Sequence, residues 1–262
     1  ELEMISERPV DYERRFGGIT RLYGEAALAA LGAARVCVVY GHGGAQVPAA
    51  FERSDAVWVE QSERLGTGHA VMQAMPAMQT MDRVLVLYGD VPLTSMDTLA
   101  RLIRSGENTV LSLLTVTLEQ PAGYGRIVRD EEGRIQRIVE QKDASEQELV
   151  IDEINTGVLA APAADFQRYL PQVGNDNSQG EYYLPDVLAL AVAEGREVPS
   201  CTVESELYVL GINDRLQQQQ VEREYQHREA ERLLRSGVAI ADANRIDIRG
   251  RLVCGSDVRI DI

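Results

Sequence analysis

Basic charge is scarce in this chain. Its 26 Lys and Arg face 41 Asp and Glu, giving a formal net charge of −15. Non-specific nucleic-acid binding needs clustered Lys and Arg to displace phosphate counterions, so that class is excluded. A small anionic ligand is not, because a bound cation can supply the missing positive charge. Cysteine is also sparse: Cys37, Cys201 and Cys254 are far apart and odd in number, which fits neither a zinc spacing nor a disulfide framework. His42, His69 and His227 are the only histidines, and none stands at a ligand spacing from a carboxylate. Ordinary helix or loop roles are expected for them. No run approaches the ~18 apolar residues of a membrane span, and no basic-then-apolar leader opens the chain. A cytosolic protein without membrane or nucleic-acid partners is expected.

What is present is an α/β pattern. At 45% apolar and 26% charged residues, the 262-residue chain has an ordinary globular composition. Strand-length apolar runs ("RVCVVYGH", "AVWVEQ", "VLVLYGDVPL", "NTVLSLLTVTL") alternate with helical stretches, as in parallel α/β units. Thr94 and Asp97 have the spacing of a capping box ahead of a helix. Beyond Gln120, "YGRIVRDEEGRIQRIVEQKD" alternates on both sides of a turn and predicts a β-hairpin. "EINTGVLAA" predicts another strand, and "EYYLPDVLALAVAEG" an amphipathic helix. From Asn213 to Arg235 the chain is polar and Gln-rich, the signature of a long exposed helix. The tail returns to short β-like alternation and stops abruptly at Ile262, as a piece of a larger protein would.

Four motifs carry candidate chemistry. In "LYGDVPL" an apolar strand ends in one acid, Asp90, after a glycine that permits close approach and before a proline that stops the strand. Ligands of open α/β sheets bind at such strand ends. A lone carboxylate suits Mg²⁺, which leaves positions for phosphates and water; a turn aspartate bonding its own backbone is the alternative. Gly66, Thr67 and Gly68 form a tight turn opening a helix, with N–H groups expected to face an anion or base edge. "AGYGRI" flanks Tyr124 with Gly123 and Gly125, either for a ligand or as a flexible start to the hairpin. Glu140 and Asn155 place polar groups on apolar strands, where sugar hydroxyls or structural hydrogen bonds would satisfy them.

In order, "VVYGHGG", "LGTGHA", "LYGDVPL", "GYGRI", "IVEQKDA", "EINTG", "QGEYYLPD" and "GINDRLQ" span roughly residues 36–218. Together they closely resemble the uridylyltransferase domain of the bacterial bifunctional enzymes that make UDP-N-acetylglucosamine. The resemblance implies a Rossmann-like nucleotidyltransferase fold with a mixed, mostly parallel sheet over residues 1–212. A helical arm over 213–240 and the start of a left-handed β-helix over 241–262 would follow. It implies Mg²⁺-dependent joining of UTP to N-acetylglucosamine 1-phosphate, giving UDP-N-acetylglucosamine and pyrophosphate, within a homotrimer. By motif, Asp90 and Asn213 would hold Mg²⁺. Gln61, Gly66 and Thr67 would meet the nucleotide, Tyr88 and Gly89 would line the site, and Gly125, Glu140 and Asn155 would hold the sugar. No protein nucleophile is needed, so the lack of a Ser-His or Cys-His pair is no objection. Two alternatives stand beside this reading: an inactive nucleotide-sugar-binding scaffold, or a nucleotidyltransferase for another sugar phosphate.

The family's opening strand and Gly-rich loop have no counterpart here. In the ungapped register Glu3 and Val10 occupy the expected Arg and Lys positions. An acid beside a triphosphate costs on the order of 1 kcal/mol in water and several times more when partly buried, so impaired turnover is expected.

Overall fold

The computed structural model describes residues 35–41, 44, 46–49, 56–107, 111–203, 205–250 and 252–261. Glu3, Val10 and the expectations for the first strand and loop lie outside the described residues, as does His42.

A short parallel pair, β1 (Cys37–Tyr40) and β2 (Val57–Glu60), forms one small sheet, with α1 (Gln46–Ala49) between its strands in sequence. Helix α2 (Thr67–Met78), β3 (Arg83–Val86), α3 (Met96–Ser105) and β4 (Ser112–Thr117) follow. The hairpin is β5 (Arg126–Arg129) and β6 (Ile135–Val139), turned by Asp130, whose carboxylate accepts the N–H groups of Glu132 and Arg134. Then come α4 (Glu146–Leu149), β7 (Glu153–Pro162), α5 (Ala163–Tyr169), α6 (Asp186–Ala193) and β8 (Ser200–Thr202). The larger sheet runs β6-β5-β7-β4-β8, and β3 pairs with β7 as well.

The sheet is mixed, and its parallel character lies in strand direction more than in ladders. β3 and β4 both run antiparallel to β7, so they are parallel to each other with β7 inserted between them; β4 and β8 pair directly in parallel. Both faces are covered, which is why β4 reads as a continuous apolar run. Leu113, Leu159 and Ala161 face a core built with Val71, Phe166, Val187 and Leu188, whereas Leu114, Val116, Val158 and Ala160 face Leu99 and Leu102 of α3.

Two local expectations shift. The N-cap of α3 is Ser95, whose Oγ accepts the Thr98 N–H at 3.1 Å, while Thr94 Oγ1 donates to the Tyr208 carbonyl at 3.0 Å. The same Ser/Thr chemistry offered two caps, and tertiary contact claimed Thr94. The helix expected across "EYYLPDVLALAVAEG" begins only at Asp186, because Tyr182 and Leu184 spend their backbone groups on Leu65, Thr67 and Gly68.

The polar stretch forms α7 (Arg215–Arg235), N-capped by Asp214. After it, β9 (Ala239–Ile240) and β10 (Arg259–Ile260) pair in parallel. Ala230 and Leu233 of α7 join Val238, Ile246 and Ile248 in a third core separate from the two flanking the sheet. Among the described residues no helix is long and apolar enough to cross a membrane.

Candidate active site

Gln61 follows β2 directly and begins the loop that leads to the Gly-Thr-Gly turn. Its Nε2 donates to the Gly66 carbonyl at 3.1 Å and lies 3.0 Å from His69 Nδ1, so the amide nitrogen is engaged within the turn. The turn is clasped from outside. Tyr182 N–H donates to the Leu65 carbonyl at 2.8 Å, Gly68 N–H to the Tyr182 carbonyl at 2.8 Å, and Leu184 N–H to Thr67 Oγ1 at 3.1 Å. This corrects the expectation of outward-facing N–H groups for Gly68, whose donor is already used. Gly66 has φ +104°, and a Cβ there would stand 2.6 Å from the Tyr182 carbonyl oxygen. Glycine is required by that approach as well as by its dihedral.

β3 ends at Val86, and the chain turns through Tyr88, Gly89 and Asp90, with Val91 N–H donating to the Tyr88 carbonyl at 3.2 Å. The Tyr88 ring lies on Gly157, where a Cβ would be 2.5 Å from Cε2 and φ is +79°. Burial pushes the Tyr88 hydroxyl up to about 12; the Thr67 hydroxyl, by hydrogen bonding, opposes this, and the charges of Asp90 and Glu140 add to it. Tyr88 therefore stays protonated at neutral pH and contacts both Thr67 and Gly157.

Asp90 is exposed, and Gly211 packs beside its carboxylate, with a Cβ there 3.4 Å from Oδ2. Ile212 N–H donates to the Asp90 carbonyl at 3.0 Å, so Asn213 follows directly on a residue bonded to the strand tip. Asn213 is itself held by its backbone, whose N–H donates to Gln217 Oε1 at 2.7 Å. A carboxylate and an amide oxygen, both exposed, are hard donors of the kind Mg²⁺ takes. Among the described residues no three His, Cys, Asp or Glu side chains form a cage. An ion held by Asp90 and Asn213 would complete its shell with phosphate oxygens and water.

Gly125, Glu140 and Asn155 converge. A Cβ on Gly125 would lie 2.9 Å from Glu140 Oε1, and the Gly125 carbonyl accepts the Asn155 N–H at 2.8 Å. Asn155 Oδ1 in turn accepts the Gly157 N–H at 2.9 Å. Burial raises the Glu140 carboxyl above its ordinary range, and the charges of Asp186 and Asp143 raise it further. The glycine loop is braced from beneath: Gln141 Oε1 accepts from Gly123 N–H at 3.1 Å and from Arg126 Nη2 at 2.8 Å.

The predicted residues fall into three locally linked groups, Gln61, Gly66 and Thr67; Gly89, Asp90 and, through Ile212, Asn213; Gly125, Glu140 and Asn155; Tyr88 contacts Thr67 and Gly157. Sequence reasoning passed over Gly157, Tyr124, Asp143, Asp186 and the Tyr182 carbonyl. A glycine inside a strand run was a usable signal for Gly157. Tyr124, raised by burial and by the charges of Glu206 and Asp90, had none, since its proximity to Asp90 depends on tertiary folding.

The fold is similar to that of nucleotidyltransferase domains. The model of the MobA-like NTP transferase domain family matches residues 20–148. Among solved structures, a putative glucose-1-phosphate thymidylyltransferase from Bacillus anthracis has a TM-score of 0.57 at 12% identity, covering 77% of this chain and 80% of that one. A UDP-glucose pyrophosphorylase complexed with UDP-glucose has a TM-score of 0.53 at 15% identity, covering 68% and 77%. At those identities the likeness speaks for the fold. The sequence relatives are nearer. The bifunctional protein GlmU of Azoarcus sp. (strain BH72) is 50% identical over 232 residues, 88% of this chain and 51% of that protein. The bifunctional protein GlmU of Chromohalobacter salexigens is 52% identical over the same shares. The chain is similar to these proteins and spans about half their length.

Proposed function

We propose that this chain transfers a uridylyl group from UTP to N-acetylglucosamine 1-phosphate, with Mg²⁺, releasing pyrophosphate. The observation that carries the reading is the Tyr88 ring, which lies on Gly157, two residues beyond Asn155, while its hydroxyl bonds Thr67 of the turn after β2. Nucleotide and sugar sites joined through one side chain suit a reaction in which two phosphates must meet in line.

A phosphate oxygen of the sugar 1-phosphate attacks the α-phosphorus of UTP; a new P–O bond forms as the bond to the leaving pyrophosphate breaks. No covalent enzyme intermediate is needed, so catalysis is positioning plus electrostatics. The Gln61 amide oxygen, opposite the nitrogen used in the turn, accepts from the uracil imide N–H. Glu140 and Asn155 orient the sugar through its hydroxyl and amide groups, with Gly125 leaving room for the ring. Asp90 and Asn213 would hold the ion, which would supply positive charge to the phosphates. The acidic surroundings, Glu140, Asp143 and Asp186, repel free phosphate, so anion binding there depends on that cation.

The arm over 213–240 and the tail over 241–262, tied together by the parallel β9–β10 pairing, read as the stem and first coil of a trimerising β-helix. Glu3 and Val10, where the family has Arg and Lys, lower turnover. Pyrophosphate release from UTP and N-acetylglucosamine 1-phosphate tests the reading. Slow, Mg²⁺-dependent release that Asp90→Asn abolishes is expected; release unaffected by Asp90→Asn contradicts it.

A further inference from the structure

The arm is fastened to the catalytic domain in an uneven way. Its apolar residues in a shared core, Ala230 and Leu233, face the tail. Buried Gln226 also serves the tail, donating to the Ile248 carbonyl at 3.1 Å and accepting the Ile248 N–H at 2.6 Å. Between the arm and the sheet lies a cavity of about 620 Å³, lined by Val116, Ile154 and Val209 on one side and Gln220, Glu224 and His227 on the other.

Arg228, on the same helix, bonds the catalytic domain directly. Its Nη1 donates to the Leu93 carbonyl at 2.8 Å, and its guanidinium carbon stands 4.1 Å from the centre of the Tyr208 ring. Nε donates to Glu224 Oε1 at 2.9 Å, one turn back, which fixes the plane of the group. Leu93 is in the turn that carries Asp90, and Tyr208 begins the segment that carries Asn213. Those two stretches are also bonded to each other, Thr94 Oγ1 to the Tyr208 carbonyl at 3.0 Å and Ile212 N–H to the Asp90 carbonyl at 3.0 Å. One guanidinium therefore touches the two stretches that carry Asp90 and Asn213, at Leu93 and Tyr208, without touching either side chain.

We propose that Arg228 is a positioning residue for the divalent-cation site, locking Asp90 and Asn213 into one arrangement and making the ion's affinity depend on how the arm is seated. The inference rests on the assignment of the ion to Asp90 and Asn213. A planar group is needed to stack on Tyr208 while donating sideways to Leu93, which lysine reproduces only in part. Side chains that orient metal ligands in this indirect way typically change affinity about tenfold or more when removed.

The test is Mn²⁺ binding in the presence of UDP-N-acetylglucosamine, read as free Mn²⁺ by electron paramagnetic resonance on the full chain. KM for N-acetylglucosamine 1-phosphate is measured beside it. Arg228→Gln is expected to weaken Mn²⁺ about tenfold, Arg228→Lys less, and the exposed Arg235→Gln not at all, with KM for the sugar phosphate unchanged. Tyr208→Leu keeps apolar packing, removes the ring, and is expected to follow Arg228→Gln; it decides the matter if Arg228→Gln does not fold. Parent-like Mn²⁺ affinity in Arg228→Gln, or in its stand-in, overturns the proposal provided Asp90→Asn loses the ion. Parent-like affinity in Asp90→Asn overturns the metal assignment itself.

Discussion

Around Tyr88 the chain is held backbone against backbone; along α7 it is held by the tips of long polar side chains. In the first region Gly66 and Gly157 each allow a contact that no other residue could make, against the Tyr182 carbonyl and the Tyr88 ring. In the second, Arg228 and Gln226 reach the Leu93 and Ile248 carbonyls, and Ala230 and Leu233 pack in a separate small core. Backbone clasps leave Gly66 and Gly68 of the turn no room for a side chain, whereas side-chain latches rest on rotatable bonds. The site would thus combine a rigid nucleotide and sugar wall with an adjustable cation wall.

The sharpest break of that comparison is Gly66→Ala. Both its dihedral and the backbone oxygen 2.6 Å from the new Cβ oppose it, so a loss of about 3 kcal/mol or more is expected in urea denaturation. Gly123→Ala, at φ +91° but with nothing within 4 Å, should lose only about 1 kcal/mol. Equal losses would mean the clasp is not what constrains the turn.

Leu233→Ala empties the small core and should cost about 3 kcal/mol. Hydrogen exchange is expected to accelerate across α7 and the tail while β4 keeps its protection. Uniform acceleration would show that the two regions unfold as one.

Arg129 holds β5 to β7 and β8, donating Nε to Glu153 Oε2 at 2.7 Å, Nη2 to Oε1 at 2.6 Å and Nη2 to Ser200 Oγ at 2.9 Å. Arg129→Gln should cost about 2 kcal/mol at pH 7. Burial alone would raise the Glu153 carboxyl, but hydrogen bonds from Arg129 and Thr115 and the Arg129 charge outweigh it, leaving it lowered. A carboxyl lowered by folding stabilises above its unfolded value, 4.5, and that stabilisation is lost as pH falls through the folded value. The parent–variant difference in urea midpoint should therefore shrink in acid; a constant difference from pH 7 to pH 3 would refute the ion-pair origin.

The smallest effect has the opposite sign. Glu140 is raised by burial and by Asp186 and Asp143, so its ionised form weakens the fold above the unfolded value, 4.5. Glu140→Gln should raise Tm at pH 7 by about 2 °C, a gain that fades in acid, and should weaken sugar binding. A lower Tm would show that the carboxylate is supported structurally.

Much of this was legible locally. The run over β4, the alternation across β5 and β6 and the polar composition of α7 each report their own surroundings, and the motifs named the residues of the three linked groups. What escaped depends on distant partners. Thr94 looks like a cap until Tyr208 arrives, Gly68 looks like a free donor until Tyr182 arrives, and nothing beside Arg228 in the sequence points to Leu93. "YYLPD" reads as helix by its apolar pattern, yet its first residues act through backbone groups that carry no side-chain signature.

A crystal structure of the chain with UDP-N-acetylglucosamine and Mg²⁺ tests the central claim most directly. The expected result is an ion on Asp90 and Asn213 touching a phosphate oxygen, uracil against Gln61 and Thr67, and the sugar among Gly125, Glu140 and Asn155. A nucleotide sugar bound with no ion at Asp90, or with its sugar away from Glu140, would contradict it.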